Sequence, residues 1–154
     1  MDESSTTRWF LRLGALSLLV GLGAGVFELM ATQAPYTPLH FGVLAAPFSQ
    51  LRGAAFWLGL FAFVCAWLRP RLGSERASWI LFGLVSAGSV LSLSAMAWAA
   101  AEGMMAIQVF DPRPGAGWLA IVRLLGQGLV LIAALDVARR LLRRGTPAVP
   151  PTPR

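Results

Sequence analysis

Between Arg76 and Glu102 the chain runs for 25 residues, Ala77 to Ala101, without a charged side chain. As an α-helix rising about 1.5 Å per residue, this stretch is roughly 37 Å long, enough to cross a hydrocarbon core of about 30 Å. An uncharged run of that length points to a membrane protein. Composition agrees: 56% of residues are hydrophobic and 13% are charged, whereas soluble domains carry roughly 25% charged residues.

Three further apolar runs accompany it. The spacing predicts spans at about 9–31, 48–68, 77–101 and 117–138, within one membrane domain over 9–144. Residues 1–8 read as a disordered cytoplasmic leader, and 145–154, GTPAVPPTPR, as a disordered Pro-rich cytoplasmic tail. A rival reading makes the first run a cleaved signal peptide, with Thr32-Gln33-Ala34 before the cut. Pro35 directly after that cut speaks against it. Between the first two spans, Pro35, Pro38 and Pro47 interrupt an apolar segment, because each lacks a donor and constrains its predecessor. The expectation is a proline-broken outer loop, with room for a short helix from about Pro38 to Ala46.

Net charge is +6, and all 13 basic residues are arginines. In a soluble protein that balance would suggest nucleic acid, but here the positions explain it. Ten arginines (8, 12, 69, 71, 76, 139, 140, 143, 144 and 154) fall on one side of the four spans. Arg52 and Arg113 fall on the other, and Arg123 lies within the fourth span. The positive-inside bias puts both termini in the cytoplasm. The fold class is therefore an all-α integral membrane protein, an antiparallel four-helix bundle, expected in a bacterial inner membrane. Its partner is the lipid bilayer; nucleic acid is not expected.

Helices gain no hydrophobic drive for association in lipid, so small residues mark where they meet. The first span offers Ser17, Gly21 and Gly25; the second Ala55, Gly59, Ala62 and Ala66; the third Gly88, Ser92, Ala95, Ala99 and Gly103. These stripes suit one compact bundle, and equally a homodimer or a contact with other membrane subunits. Cys65 stands alone in an apolar run, as a packing cysteine would. Ser86, Ser89, Ser92 and Ser94 spread around the third helix and do not line a channel. Their hydroxyls are expected to back-bond to helix carbonyls.

Ionisable groups inside a membrane are costly and are candidates for function. Glu28, Arg52, Glu102, Arg123 and Gln127 gather toward the outer ends of the spans, and Tyr36 and His40 could fold over them. The sequence expectation is one outer vestibule, with Arg123 paired to Glu28 or Glu102. Asp136 is expected to pair locally with Arg139 or Arg140. With one histidine and no ligand spacing, no metal site, haem or other cofactor is expected. No CxxC is present, unlike quinone-linked disulfide-generating enzymes, and Glu28 lies too near its helix end for a small drug–proton antiporter. No nucleophile set suggests catalysis. The preferred reading is a non-enzymatic accessory or binding component; the alternatives are a small proton-coupled carrier and a membrane enzyme acting on a lipid-like substrate.

Overall fold

The computed structural model describes residues 5–33, 38–71, 74–102 and 116–144. Its long elements are α1 (Ser5–Gln33), α2 (Pro38–Leu68), α3 (Glu75–Ala101) and α4 (Ala116–Arg144), with a 3-10 turn at Arg69–Arg71. All four helices are long and apolar enough to cross a membrane. Tyr36, Gly103, Arg113 and the tail from Gly145 lie outside the described residues.

Two elements differ from the sequence reading. Helix α1 begins at Ser5 rather than at Trp9, so the second half of the expected leader is helical. Helix α2 runs unbroken through Pro47, which is buried within it. A proline inside a helix removes one backbone hydrogen bond, and its ring clashes with the preceding turn. Pro47 is buried within the protein, where the alternative is worse, since breaking the helix would strand several N–H and C=O groups away from water. The connection between α1 and α2 is correspondingly short, residues 34–37.

Helix α3 starts under a serine cap. The Ala77 N–H donates to Ser74 Oγ at 3.4 Å, and Glu75 places a negative charge in the first turn, where the helix dipole favours it. Ser5 Oγ donates to Glu75 Oε1 at 3.3 Å, tying the start of α1 to the start of α3. Trp79 and Trp98, both exposed on α3, stand 19 residues apart, or about 28 Å. Exposed Trp9 and Trp67 lie at the Trp79 end, and exposed Trp118 at the Trp98 end. Two aromatic belts at that separation match the boundaries of a hydrocarbon core. Trp57, exposed in mid-helix, is the exception.

The helices associate as two antiparallel hairpins. Helix α1 packs most extensively on α2, and α3 on α4; α2 and α1 then meet α3, while α4 makes only slight contact beyond α3. Glycine decides both hairpins. A Cβ on Gly59 would come 3.1 Å from Gly14 O, and one on Gly14 3.2 Å from Gly59 O. The α3–α4 approach is tighter, with a Cβ on Gly88 falling 2.6 Å from Gly126 O, and one on Gly126 2.6 Å from Ser92 N. Two apolar cores lie along the bundle. Near the arginine-rich end Phe10, Cys65, Leu81, Val85, Ala133 and Val137 cluster, with Phe10 edge-on to Phe82 at 5.3 Å. Toward the other end Ala24, Leu51, Met96 and Ala99 form the second.

The serines divide in two. Ser86 and Ser94 donate to the carbonyls of Gly83 and Leu91, each at 3.2 Å, while Ser89 and Ser92 are buried. Asp136 pairs with Arg140 at 2.6 Å, one turn along α4.

Because no side chain fits at the α3–α4 crossing, Gly126→Ala should lower stability by about 1–3 kcal/mol, the usual cost of overpacking. Gly83→Ala, where a Cβ meets nothing within 4 Å, should be neutral or stabilising by up to about 1 kcal/mol. Thermal unfolding in detergent measures both; equal effects would remove the crossing as the point of closest packing.

Candidate functional site

The polar site begins with where two charges fall along their helices. Glu28 follows Arg8 by 20 residues on α1, and Arg52 on α2 precedes Arg69, just past the helix end, by 17, distances of about 30 and 25 Å. The antiparallel hairpin therefore brings both to the same level, at the boundary opposite the arginine-rich end. There Arg52 Nε lies 3.1 Å from Glu28 Oε2, and Arg52 Nη2 donates to Glu28 Oε1 at 3.5 Å. The guanidinium meets the carboxylate side-on with two nitrogens, the geometry that gives an arginine pair its orientation. The Glu28 side chain is 21% exposed and that of Arg52 46%, so the pair faces outward while its acid is the better covered partner.

Glycines make room for it. A Cβ on Gly25 would touch Arg52 Cδ at 3.4 Å, and one on Gly21 would meet Phe56 Cδ2 at 3.3 Å. The resulting groove, about 550 Å³, has Gly21 and Gly25 along its floor and Leu22, Val26, Leu29 and Phe56 beside them, with Glu28 and Arg52 as its polar end. Phe27 stacks on Phe48 at 5.5 Å, linking α1 to α2 near the pair. This arrangement can hold a molecule that is apolar along its length and polar at one tip. Among the described residues no three His, Cys, Asp or Glu side chains gather as a metal site would need.

Three of the other expected vestibule residues, Arg123, Gln127 and Glu102, are among those described with their side chains. The structure sets Arg52 against the Glu28 carboxylate; the sequence reading offered Glu28 or Glu102 as the partner of Arg123. Arg123 is half-buried on α4, with its Nε buried. It lies one turn beyond Leu119, which packs on the core of Ala24, Leu51, Met96 and Ala99. Gln127 is exposed on α4, and Glu102 is exposed at the C-cap of α3. His40 falls in the first turn of α2, and Tyr36 lies outside the described residues. Helix pairing brings Glu28 and Arg52 together: α1 faces α2 directly, and α4 is held mainly by α3.

Of the small residues singled out in the sequence, Ser17, Gly21, Ala55, Gly59, Ala62, Gly88, Ser92 and Ala99 are buried and Gly25 is half-buried. Gly14 and Gly126 escaped the sequence reading, although each faces another glycine across a helix contact. The signal for the Glu28–Arg52 pair was present in the two nearly equal distances from the arginine-rich end. Comparison with known protein families, with curated proteins and with solved structures finds no match.

A double-mutant cycle tests the pair. Glu28→Gln and Arg52→Gln should each destabilise the α1–α2 hairpin, and the double variant should lose less than their sum. The coupling should be about 0.5–1 kcal/mol for a pair this exposed, and should shrink with added salt. Additive losses would mean that the two side chains are neighbours without an energetic link.

Proposed function

We propose that this chain is a non-enzymatic binding component of a bacterial inner membrane, which holds an amphiphile in the α1–α2 groove with its head group against Arg52 and Glu28. One observation carries this reading: an apolar groove on the outer surface of the helices ends in an ion pair at the membrane boundary. An acyl chain lying along Leu22, Val26 and Phe56 would replace contacts with bulk lipid by similar ones, so the chain gives retention but little selectivity. The head group supplies selectivity, because Arg52 has guanidinium edges that Glu28 leaves open and a phosphate or carboxylate can use them. A proton-coupled carrier would need an acid that loads and releases protons, whereas Glu28 is engaged by a permanent cation. A hydrolytic enzyme would need a nucleophile beside the pair, and among the described residues the groove is lined by glycines and apolar side chains besides Glu28 and Arg52.

The arginine distribution supports the orientation that places this groove in the outer leaflet. Ten arginines lie at or beyond the span ends on one side, and the cytoplasmic ends and loops of membrane helices carry such an excess. Reporter fusions after Arg76 and after Arg144 should therefore behave as cytoplasmic, and a fusion after Arg113 as periplasmic. A periplasmic signal at Arg76 would reverse the assignment of the groove to the outer leaflet.

Extraction into polymer-bounded lipid discs, followed by lipid analysis, tests the binding. The wild type should retain one anionic or zwitterionic amphiphile above its share in the surrounding bilayer. Arg52→Gln should lower that retention about tenfold or more, as expected for losing a charged hydrogen bond. Gly25→Leu should abolish it by filling the floor. A lipid profile identical to the bulk membrane in all three would end the proposal.

A further inference from the structure

A second surface lies on α4, and it is independent of the groove. Gln127 is exposed nine residues after Trp118, about 14 Å below the aromatic belt. That is close to the middle of a hydrocarbon core of about 30 Å. Two methylene groups cannot carry its carboxamide back to water. The surrounding backbone N–H groups are committed to the helix, so the carboxamide oxygen has no local main-chain donor. Among the described residues no hydrogen bond engages this side chain. Lipid tails offer none.

The sequence around it is patterned for another helix. Ala120, Leu124, Gln127, Leu131, Ala134 and Ala138 recur at spacings of four and three, the seam of a left-handed coiled pair. Ala120 at the top of this row is buried within the bundle, but Leu124 and Leu131 remain 55% and 60% exposed on either side of Gln127. Helix α4 is the least buried of the four. A polar residue at one position of such a seam fixes register and partner number.

We infer that the α4 seam centred on Gln127 is the contact with a second copy of this chain, made about a two-fold axis along the membrane normal. The choice of occupant follows from the carboxamide. It is donor and acceptor at once, and a two-fold sets it against the same group at the same depth, satisfying both. An unrelated helix would have to supply a matching polar side chain at mid-membrane. With both copies sharing one topology, the two α4 helices run parallel, and the exposed leucines pack above and below the paired amides. The α1–α2 grooves remain open to lipid.

Oxidative cross-linking of the full chain in native membranes tests this, with buried Cys65 replaced by Ala. Leu124→Cys and Leu131→Cys, on the seam, should give a disulfide-linked dimer of twice the chain mass. Leu125→Cys and Ile132→Cys, exposed one residue further round α4 and so turned about 100° from the seam leucines, should give much less. In lipid discs, Gln127→Leu should raise the dimer dissociation constant about 5- to 30-fold, the range set by one or two interhelical hydrogen bonds. Gln127→Asn should retain most of the association. Because Gln127 faces outward, the leucine variant should leave the thermal unfolding of the monomer unchanged. Equal cross-linking at all four positions, a seam product with a chain of different mass, or a dissociation constant insensitive to Gln127→Leu would each overturn the inference.

Discussion

Inside a bilayer every backbone N–H and C=O must find its partner within the protein, and this constraint shapes the whole molecule. Burial within the protein imposes the same rule on α2, which continues through the buried Pro47 instead of opening into a loop. One missing hydrogen bond costs less than a helix end buried without partners. The bilayer constraint also explains why the helices approach most closely at glycines. Once the backbone is saturated within each helix, helices attract chiefly by packing, and packing is closest where no side chain intervenes. At Gly88 and Gly126 the two backbones approach until a Cβ would reach the opposite carbonyl.

The same constraint sorts the polar side chains by depth. Glu28 and Arg52 stand at the boundary, where the pair is half-solvated and its cost is small. Arg123 lies deeper, and its aliphatic stem can lead toward the start of α4, since helical side chains tilt toward the N-terminus. Gln127 is one turn deeper again and points outward. An uncharged amide tolerates that position better than an ion, yet it still gains from a partner. Charge at the boundary suits ligand capture; a neutral amide at the centre suits association.

The two surfaces also use different helices. The groove belongs to the α1–α2 hairpin and the amide seam to α4, which is attached mainly through α3. A hairpin on each side of the molecule leaves the lipid-facing groove and the seam physically separate, so one can be occupied without covering the other.

Much of the architecture was legible in the chain. Uncharged runs closed by arginines located four helices, because spanning a fixed thickness demands a fixed length. Period-four small residues marked Gly21, Gly59 and Gly88. Helix ends were read less well: composition changes gradually at Ser5, and Pro47 carries a breaking signal that burial within the protein overrides. The candidate site was legible as a set of residues but not as a set of pairs. Glu28, Arg52 and Arg123 are all charges near one boundary, and a sequence records the depth of each without its azimuth. Which acid meets which base depends on which helix faces which, and that is decided by the glycine contacts Gly14–Gly59 and Gly88–Gly126. Those contacts are properties of two helices together. Neither helix carries them alone, so length and charge placement came from the sequence, and partnership from the tertiary structure.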